Sequence, residues 1–482
     1  MADLPPTFRD AVSAVRRLGL RYLWIDSLCI LQDSDEDWRR EAGRMQNVYR
    51  NAYCNLAASG SHNVLGGLIK TRDPTLIFPC VVSFASNLHS EEEWLIIPEN
   101  WWESFTETRL NRRGWIVQER LLAARVIHFG SDQLHWECHE LDACESFPNG
   151  IPLSGSLRST AYKGIDPATD GVRLRARYGR LAQDDTGLEA LYLWSRVISL
   201  YTDCQLTKES DKLIALAGLA GQFSTLMPEA QYLAGLWSTH LACQLLWSVD
   251  VLNDKPAAKY PAAYRAPSWS WAAVDAHIEP ATITSQGILI EIKQFTIIPS
   301  PPDSLDTMFQ VSSGSLTIQG NLVKAQQKIT PRRSPWTSEI LQSIILDSST
   351  PIPRVSANFD VLDVILAHTS SLPHSQASSS FFFLLPVRKY VYAATHWVAG
   401  LILVDVNDKP IANASNSAGT KDRAGKAEDK KKGVYRRVGK FTTSGKGAES
   451  FIELVENSGN QGNGSTEEEK DGEDTLGTFI LQ

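Results

Sequence analysis

The chain has 482 residues, 43% of them hydrophobic, a composition that suits an ordinary globular protein with two or three domains. With 47 basic against 55 acidic residues the formal charge is −8, and no basic block stands out as a nucleic-acid groove. No apolar run approaches the roughly 20 residues that cross a bilayer, and MADLPPTFRD has neither the basic start nor the apolar centre of a signal peptide, so a cytoplasmic protein without membrane span or nucleic-acid partner is expected.

The first element is a helix: Pro5 and Pro6 fit a first turn, Phe8, Ala11, Val12, Val15 and Leu18 form one apolar stripe, and Gly19 can end it. Tyr22 to Ile25 reads as a short buried strand ending on Asp26, at the place where ligands bind in open α/β sheets. Ser34 or Asp35 can cap the next helix, with Trp38, Ala42, Met45, Tyr49 and Ala52 along one face and Arg39, Arg40 and Gln46 opposite. Tyr53 to Ala57 reads as a second strand, and Cys80 to Ala85 and Trp94 to Ile97 as added ones. Arg113 to Ala124 is helical in pattern, followed by strands Arg125 to Phe129 and Gln133 to Glu137. Strands separated by helices predict a doubly wound parallel sheet.

Beyond Ile151 the chain is polar, with some helix expected around Arg173 to Leu181. Helical periodicity returns at Leu188 to Tyr201, Asp211 to Phe223 and Tyr232 to Val249, the last with Trp237, Leu241, Leu245 and Trp247 inward. Pro267 to Ala273, PSWSWAA, reads as a strand with both indoles on one face. Six further strands are expected, at Gly287 to Phe295, Ser315 to Val323, Phe382 to Val387, Leu401 to Val406, Gly433 to Thr442 and Phe479 to Leu481. Solvated loops are expected at 370–380, 407–432 and 457–474. The division expected is an α/β domain over 1–150, a helical region over 151–265 and a β-rich module over 266–482.

Two segments carry a resemblance. YLWIDSLCILQDSDEDWRREAGRMQNVY and RGWIVQERLLAARVIHF closely resemble the fungal heterokaryon-incompatibility (HET) domain, whose members trigger programmed cell death in non-self recognition when unlike hyphae fuse. The matching motif positions are Trp24, Asp26, Cys29, Gln32, Trp38, Glu41, Met45, Tyr49, Arg113, Gly114, Trp115, Gln118 and Arg120. Such domains normally begin with a strand like Tyr-x-x-Leu-Ser-Tyr-x-Trp-Gly, whereas here Met1 stands just before the first helix. The resemblance therefore implies a TIR/flavodoxin-like sheet lacking its first strand beside Tyr22 to Ile25, from a late gene start or an inactive truncated paralogue.

Trp115 to Glu119, WIVQE, is similar to the Trp-Cys-Leu-x-Glu segment of Toll-receptor-like (TIR) domains, whose glutamate is needed to cleave NAD. The resemblance implies a catalytic Glu119 with NAD as substrate and no bound cofactor; it equally allows a non-enzymatic module that self-associates or binds other death-signalling proteins. A carboxylate suits the reaction because positive charge develops on the ribose as nicotinamide leaves. Alternatively, Glu119 pairs with Arg113 or Arg120 and holds the helix. Asp26 could bind a ribose hydroxyl or cap the backbone of the residues after it.

Glu41 reads as a partner of Arg44 or as packing on the Met45 side rather than as a catalytic acid, and Cys29 as a buried structural thiol, because no histidine is placed to activate it. Seven cysteines, an odd number, do not resemble a disulfide framework, and mostly buried reduced thiols are expected. His135, Cys138, His139 and Cys144 are clustered, but their spacing is not a usual zinc pattern, so no metal site is assigned.

Overall fold

A computed structural model describes residues 3–73, 75, 77–86, 89–96, 108–151, 186–250, 257–302, 308–333, 340–348, 355–361, 381–406, 433–460 and 476–482. These fall into two compact units, Met1–Leu226 and Met227–Gln482.

The first unit opens with α1 (Pro6–Arg17), whose Ala11 and Val15 are buried. Gly19 takes a left-handed φ of 73°, and the Leu20 N–H bonds back to Val15 O at 3.0 Å, which closes the helix. The strand expected at Tyr22 to Ile25 does not form. That segment is neither helix nor strand, and Tyr22 is 84% exposed. A strand is defined by its partner, and no described strand lies hydrogen-bonded beside this one. A four-residue helix, α2 (Asp26–Cys29), follows. Then comes α3 (Asp35–Asn51), capped by Ser34, whose Oγ accepts from the Asp37 N–H at 3.2 Å, with Asp35, Glu36 and Asp37 in its first turn.

Strand β1 is shorter than expected, Asn55–Ala57, and β2 (Cys80–Ser86) pairs with β3 (His89–Ile96) as a separate hairpin. Helix α4 (Trp115–Leu122) leads into β4 (Arg125–Phe129), β5 (Leu134–Cys138) and β6 (Asp142–Cys144). The main sheet has the order β1-β4-β5-β6. It is not the parallel, doubly wound sheet the helix–strand alternation suggests: β1 and β4 are parallel, but β4–β5 and β5–β6 are antiparallel. The link from Phe129 to Leu134 is a hairpin-length turn, too short for the crossover that parallel neighbours need.

Helix α5 (Thr186–Thr202) and, after a 3-10 turn at Glu209–Lys212, helix α6 (Ile214–Leu226) complete the unit, with α3 and α4 packed on α6. Gln46, expected on the polar face of α3, instead packs on α6. A Cβ added to Gly218 would stand 2.7 Å from Gln46 Cβ, so the two helices approach as closely as a glycine permits. The helix expected around Arg173 to Leu181 lies outside the described residues.

In the second unit, Tyr232 to Val249 is not one helix. It forms strands β7 (Tyr232–Leu233) and β8 (Leu236–Trp237), a short helix α7 (Leu241–Gln244) and strand β9 (Ser248–Val249). Ala234 (φ 47°) and Gly235 (φ 102°) turn the chain where a helix would run straight, although Trp237, Leu241, Leu245 and Trp247 are buried as expected. PSWSWAA is not a strand either. Its end is a 3-10 turn, Trp271–Ala273, capped by Ser270, and both indoles are fully buried. Trp271 Nε1 donates to Gly235 O at 2.9 Å, and Trp269 O accepts from Trp247 Nε1 at 2.9 Å.

After β10 (Ile278–Glu279), the strands β11 (Glu291–Pro299), β12 (Val311–Asn321), β13 (Val323–Arg333), β14 (Ile340–Ser348), β15 (Ser356–Phe359), β16 (Phe381–Tyr392), β17 (Thr395–Asp405), β18 (Val434–Ser444) and β19 (Leu476–Leu481) form one sheet in the order β11-β12-β19-β18-β15-β14-β13-β16-β17. A further β17–β18 pairing closes β13 to β18 into a six-stranded ring. Val323, Leu384, Ile402 and Phe441 of the ring share a core with Ala448 and Phe451 of helix α8 (Lys446–Asn460). This helix has no counterpart in the sequence reading and takes in the start of the loop expected at 457–474; the loops expected at 370–380 and 407–432 lie outside the described residues. Arg437 is fully buried on β18, bonded to both Asp360 carboxylate oxygens at 3.0 Å and to Trp247 O at 2.7 Å.

Candidate functional site

Between the irregular Leu20 to Ile25 segment and β1 lies a cavity of about 1020 Å³ in the first unit. Apolar side chains of α1 line one part of it, and Val48, Tyr49, Ile116 and Glu119 of α3 and α4 another. One hydroxyl and two charged groups act on Glu119. The Tyr49 hydroxyl donates a hydrogen bond to its carboxylate, Arg113 contributes an attractive charge and Asp26 a repulsive one. Burial raises the Glu119 carboxyl above its ordinary value; the Tyr49 bond and Arg113 oppose that rise. Burial, with the Glu119 charge next, pushes the Tyr49 phenol well up, so this hydroxyl stays a proton donor at neutral pH. Sequence reasoning placed Tyr49 in the apolar stripe and missed its hydroxyl. The available signal was that a tyrosine in a half-buried stripe needs a polar partner.

Glu119 and Arg120 are neighbours with separate environments. Arg120 does not pair with Glu119. It is buried and holds Glu137 of β5 in two bonds of 2.7 Å, and His128 Nε2 meets the same carboxylate at 3.0 Å. Ser59 Oγ lies 3.3 Å from His128 Nδ1. Burial pushes Glu137 up, but the Arg120 charge and the bonds from His128 and Arg120 overcome it and hold the carboxyl well below the usual range. This chain of buried polar groups joins α4 to β4, β5 and the end of β1.

The remaining motif residues support the walls. Trp24 meets Tyr49 edge-on at 5.8 Å, and Trp38 meets Trp115 edge-on at 6.2 Å. Gln32 Nε2 donates to Ile30 O at 2.9 Å, and Glu41 pairs with Arg44 at 3.0 Å. Met45 and Gln118 are buried. Gly114 donates its N–H to Gln205 O at 2.8 Å, and a Cβ there would fall 2.6 Å from Leu206 Cδ2. Asp26 is exposed at the start of α2, where its Oδ1 accepts the Ser27 N–H at 2.7 Å.

Cys29 is exposed, not buried, and so is Cys80, while only Cys144 and Cys243 are buried. The short α2 turn leaves Leu28 and Cys29 outside any packed layer, which a motif alone could not disclose. Among the described residues no cluster of His, Cys, Asp and Glu could hold a metal ion. Burial and neighbouring positive charges lower His135 to about 3, so its ring is neutral.

Residues 1–119 match the family model described as Heterokaryon incompatibility protein (HET). This first quarter of the chain is a HET segment. The match ends on Glu119, so the HET segment contributes α1 to α3, β1 and most of α4, and with them much of the cavity wall. The partner strands β4 and β5 lie beyond it. No curated protein and no solved structure matches the chain significantly. Among the described residues no helix is long and apolar enough to cross a membrane.

Proposed function

We propose that this HET-domain protein acts in non-self recognition and programmed cell-death signalling, and that its first unit cleaves a nicotinamide dinucleotide in the cavity beside Glu119. The family match supports the first part. The observation that carries the second is the placement of Glu119 on the cavity wall, hydrogen-bonded to Tyr49, with Arg120 committed elsewhere. In this reading the ribose–nicotinamide C–N bond breaks, its electron pair leaves with nicotinamide, and the Glu119 carboxylate stabilises the positive charge left on the ribose until water adds and releases a proton. Arg113 and Arg109, also on the wall, supply positive charge for the pyrophosphate.

The test is to measure NAD loss and cell death in parallel for wild type and Glu119→Gln. Loss of both, with catalysis falling about a hundredfold or more, supports the reading; death that persists at unchanged protein level removes the catalytic part. The second reading, a signalling module without chemistry, is favoured by the exposed apolar residues Tyr22, Leu28, Leu31 and Tyr53. It predicts death that survives Glu119→Gln and is lost when these residues are made polar.

A further inference from the structure

The second unit carries a groove of about 540 Å³ where the β16–β17 hairpin lies beside α8. Val391 of the hairpin and Ile452 of the helix form its apolar walls. Glu449, Glu453 and Glu456 line it as well, and their spacing of four and three residues sets them in one row on α8. Lys389 Nζ reaches Glu456 Oε1 at 3.0 Å. Among the described residues neither the Glu449 nor the Glu453 carboxylate has an ion pair or a hydrogen bond. Like charges one turn apart oppose each other on a helix, so this row weakens α8 unless a cation faces it.

The hairpin beside the row ends in four consecutive exposed apolar residues, Val391 to Ala394, with Val391 63% and Tyr392 71% exposed. Ala393 and Ala394 make the turn at φ 48° and 61°, the left-handed region that favours glycine or asparagine. The fold thus holds apolar side chains in solvent on a strained turn, next to uncompensated negative charge. Among the described residues no cluster of His, Cys, Asp and Glu is gathered closely enough for a metal ion. The free charge is instead spread along the helix over about 6 Å from Glu449 to Glu453, the spacing of two basic side chains one turn apart on another helix.

We propose that this groove docks a basic amphipathic helix of another protein, with two Lys or Arg side chains one turn apart facing Glu449 and Glu453 and an apolar side chain beside them packed on Val391, Tyr392 and Ile452. Charge complementarity selects the occupant. An acidic segment is repelled, and a purely apolar one covers two carboxylates without giving them partners. A helix that carries both kinds of side chain on one face satisfies the row and the apolar walls together. The groove lies wholly in the second unit and shares no residue with the cavity beside Glu119, so this inference stands apart from the NAD reading.

The probe is the fluorescein-labelled, amidated peptide Ala-Ala-Lys-Leu-Ala-Ala-Lys-Leu-Ala-Ala-Lys-Ala, titrated into the full chain and followed by anisotropy. The expected result is saturable binding with a dissociation constant below about 1 mM. Replacing Glu449 and Glu453 together by Gln should weaken it by roughly fivefold or more and flatten its dependence on salt. Tyr392→Ser should weaken it as well. All three side chains are exposed, so these variants keep the fold, which urea unfolding checks. Glu36→Gln on α3, an equal change in net charge at an unrelated exposed position, should leave the affinity unchanged. A peptide of the same composition with its lysines two residues apart, and so on different helix faces, should bind more weakly. Absence of binding up to about 1 mM, equal affinity for the doubly substituted protein, or equal binding of a peptide with Gln in place of Lys would each overturn the proposal. Binding of the free chain to phosphatidylcholine vesicles that is lost in Tyr392→Ser but kept in the Glu449 and Glu453 variant would also overturn it, assigning the hairpin tip to a lipid surface. So would a dimer of the free chain in sedimentation that the peptide dissociates, because the occupant would then be a second copy.

Discussion

Arg120 Nε and Nη2 grip the two carboxylate oxygens of Glu137 at 2.7 Å, while Glu119, the residue before it, borders the cavity beside Tyr49. A single residue step along the helix thus separates a structural charge from a candidate chemical one. Both partners of the Arg120–Glu137 pair are almost fully buried, so removing one strands the other. Arg120→Met should cost about 3 to 5 kcal/mol in urea unfolding followed by tryptophan fluorescence. Because the folded Glu137 carboxyl is held below its ordinary value of 4.5, its contribution is complete above that value and is lost as pH falls through the folded one. Acid unfolding should therefore begin below about pH 4.5 and lose part of its steepness in Glu137→Gln.

The opposite sign is expected at Glu119. Its folded carboxyl is raised above 4.5, so from that pH upward the native state holds more proton than the unfolded chain, and stability declines as pH rises to the folded value. Glu119→Gln should remove that slope. Unfolding free energies measured from pH 4 to 8 for both proteins check it; parallel curves would mean the carboxyl is not perturbed.

Tyr49→Phe deletes the hydroxyl that holds the Glu119 carboxyl down. The remaining burial pushes that group higher, so the acid limb of NAD cleavage should move to higher pH while activity on the alkaline side changes little. Stability should fall by about 1 kcal/mol, the usual net worth of one hydrogen bond. A pH–rate profile that merely scales down, with its limb unmoved, would assign Tyr49 to packing.

Gly218→Ala should be costly despite being a helix-favouring change. Its new methyl would stand 2.7 Å from Gln46 Cβ and 2.8 Å from Gln118 Oε1. Overpacking of this kind costs about 1 to 3 kcal/mol, more than the roughly 1 kcal/mol that alanine returns in propensity. Thermal unfolding of the variant gives the balance.

The same contrast between near and distant causes explains what was legible without coordinates. The helices Pro6–Arg17, Asp35–Asn51, Trp115–Leu122 and Thr186–Thr202 follow from caps and apolar stripes, because their hydrogen bonds join residues four apart. Strand Arg125–Phe129 and most strands of the β-rich region were legible from alternation, and the HET family from two long motifs. Tertiary structure alone decided that Tyr22 to Ile25 stays unpaired, that β5 runs back along β4, and that β17 meets β18 to close a ring, because a strand's partner is set by segments far away in sequence. It also decided that Tyr232 to Val249 turns at Ala234 and Gly235 to seat Trp271, where packing overrode helical periodicity. The site divides the same way. Glu119 was visible as a motif residue, but its bond to Tyr49 and the capture of Arg120 by Glu137 arise from elements brought together only by folding.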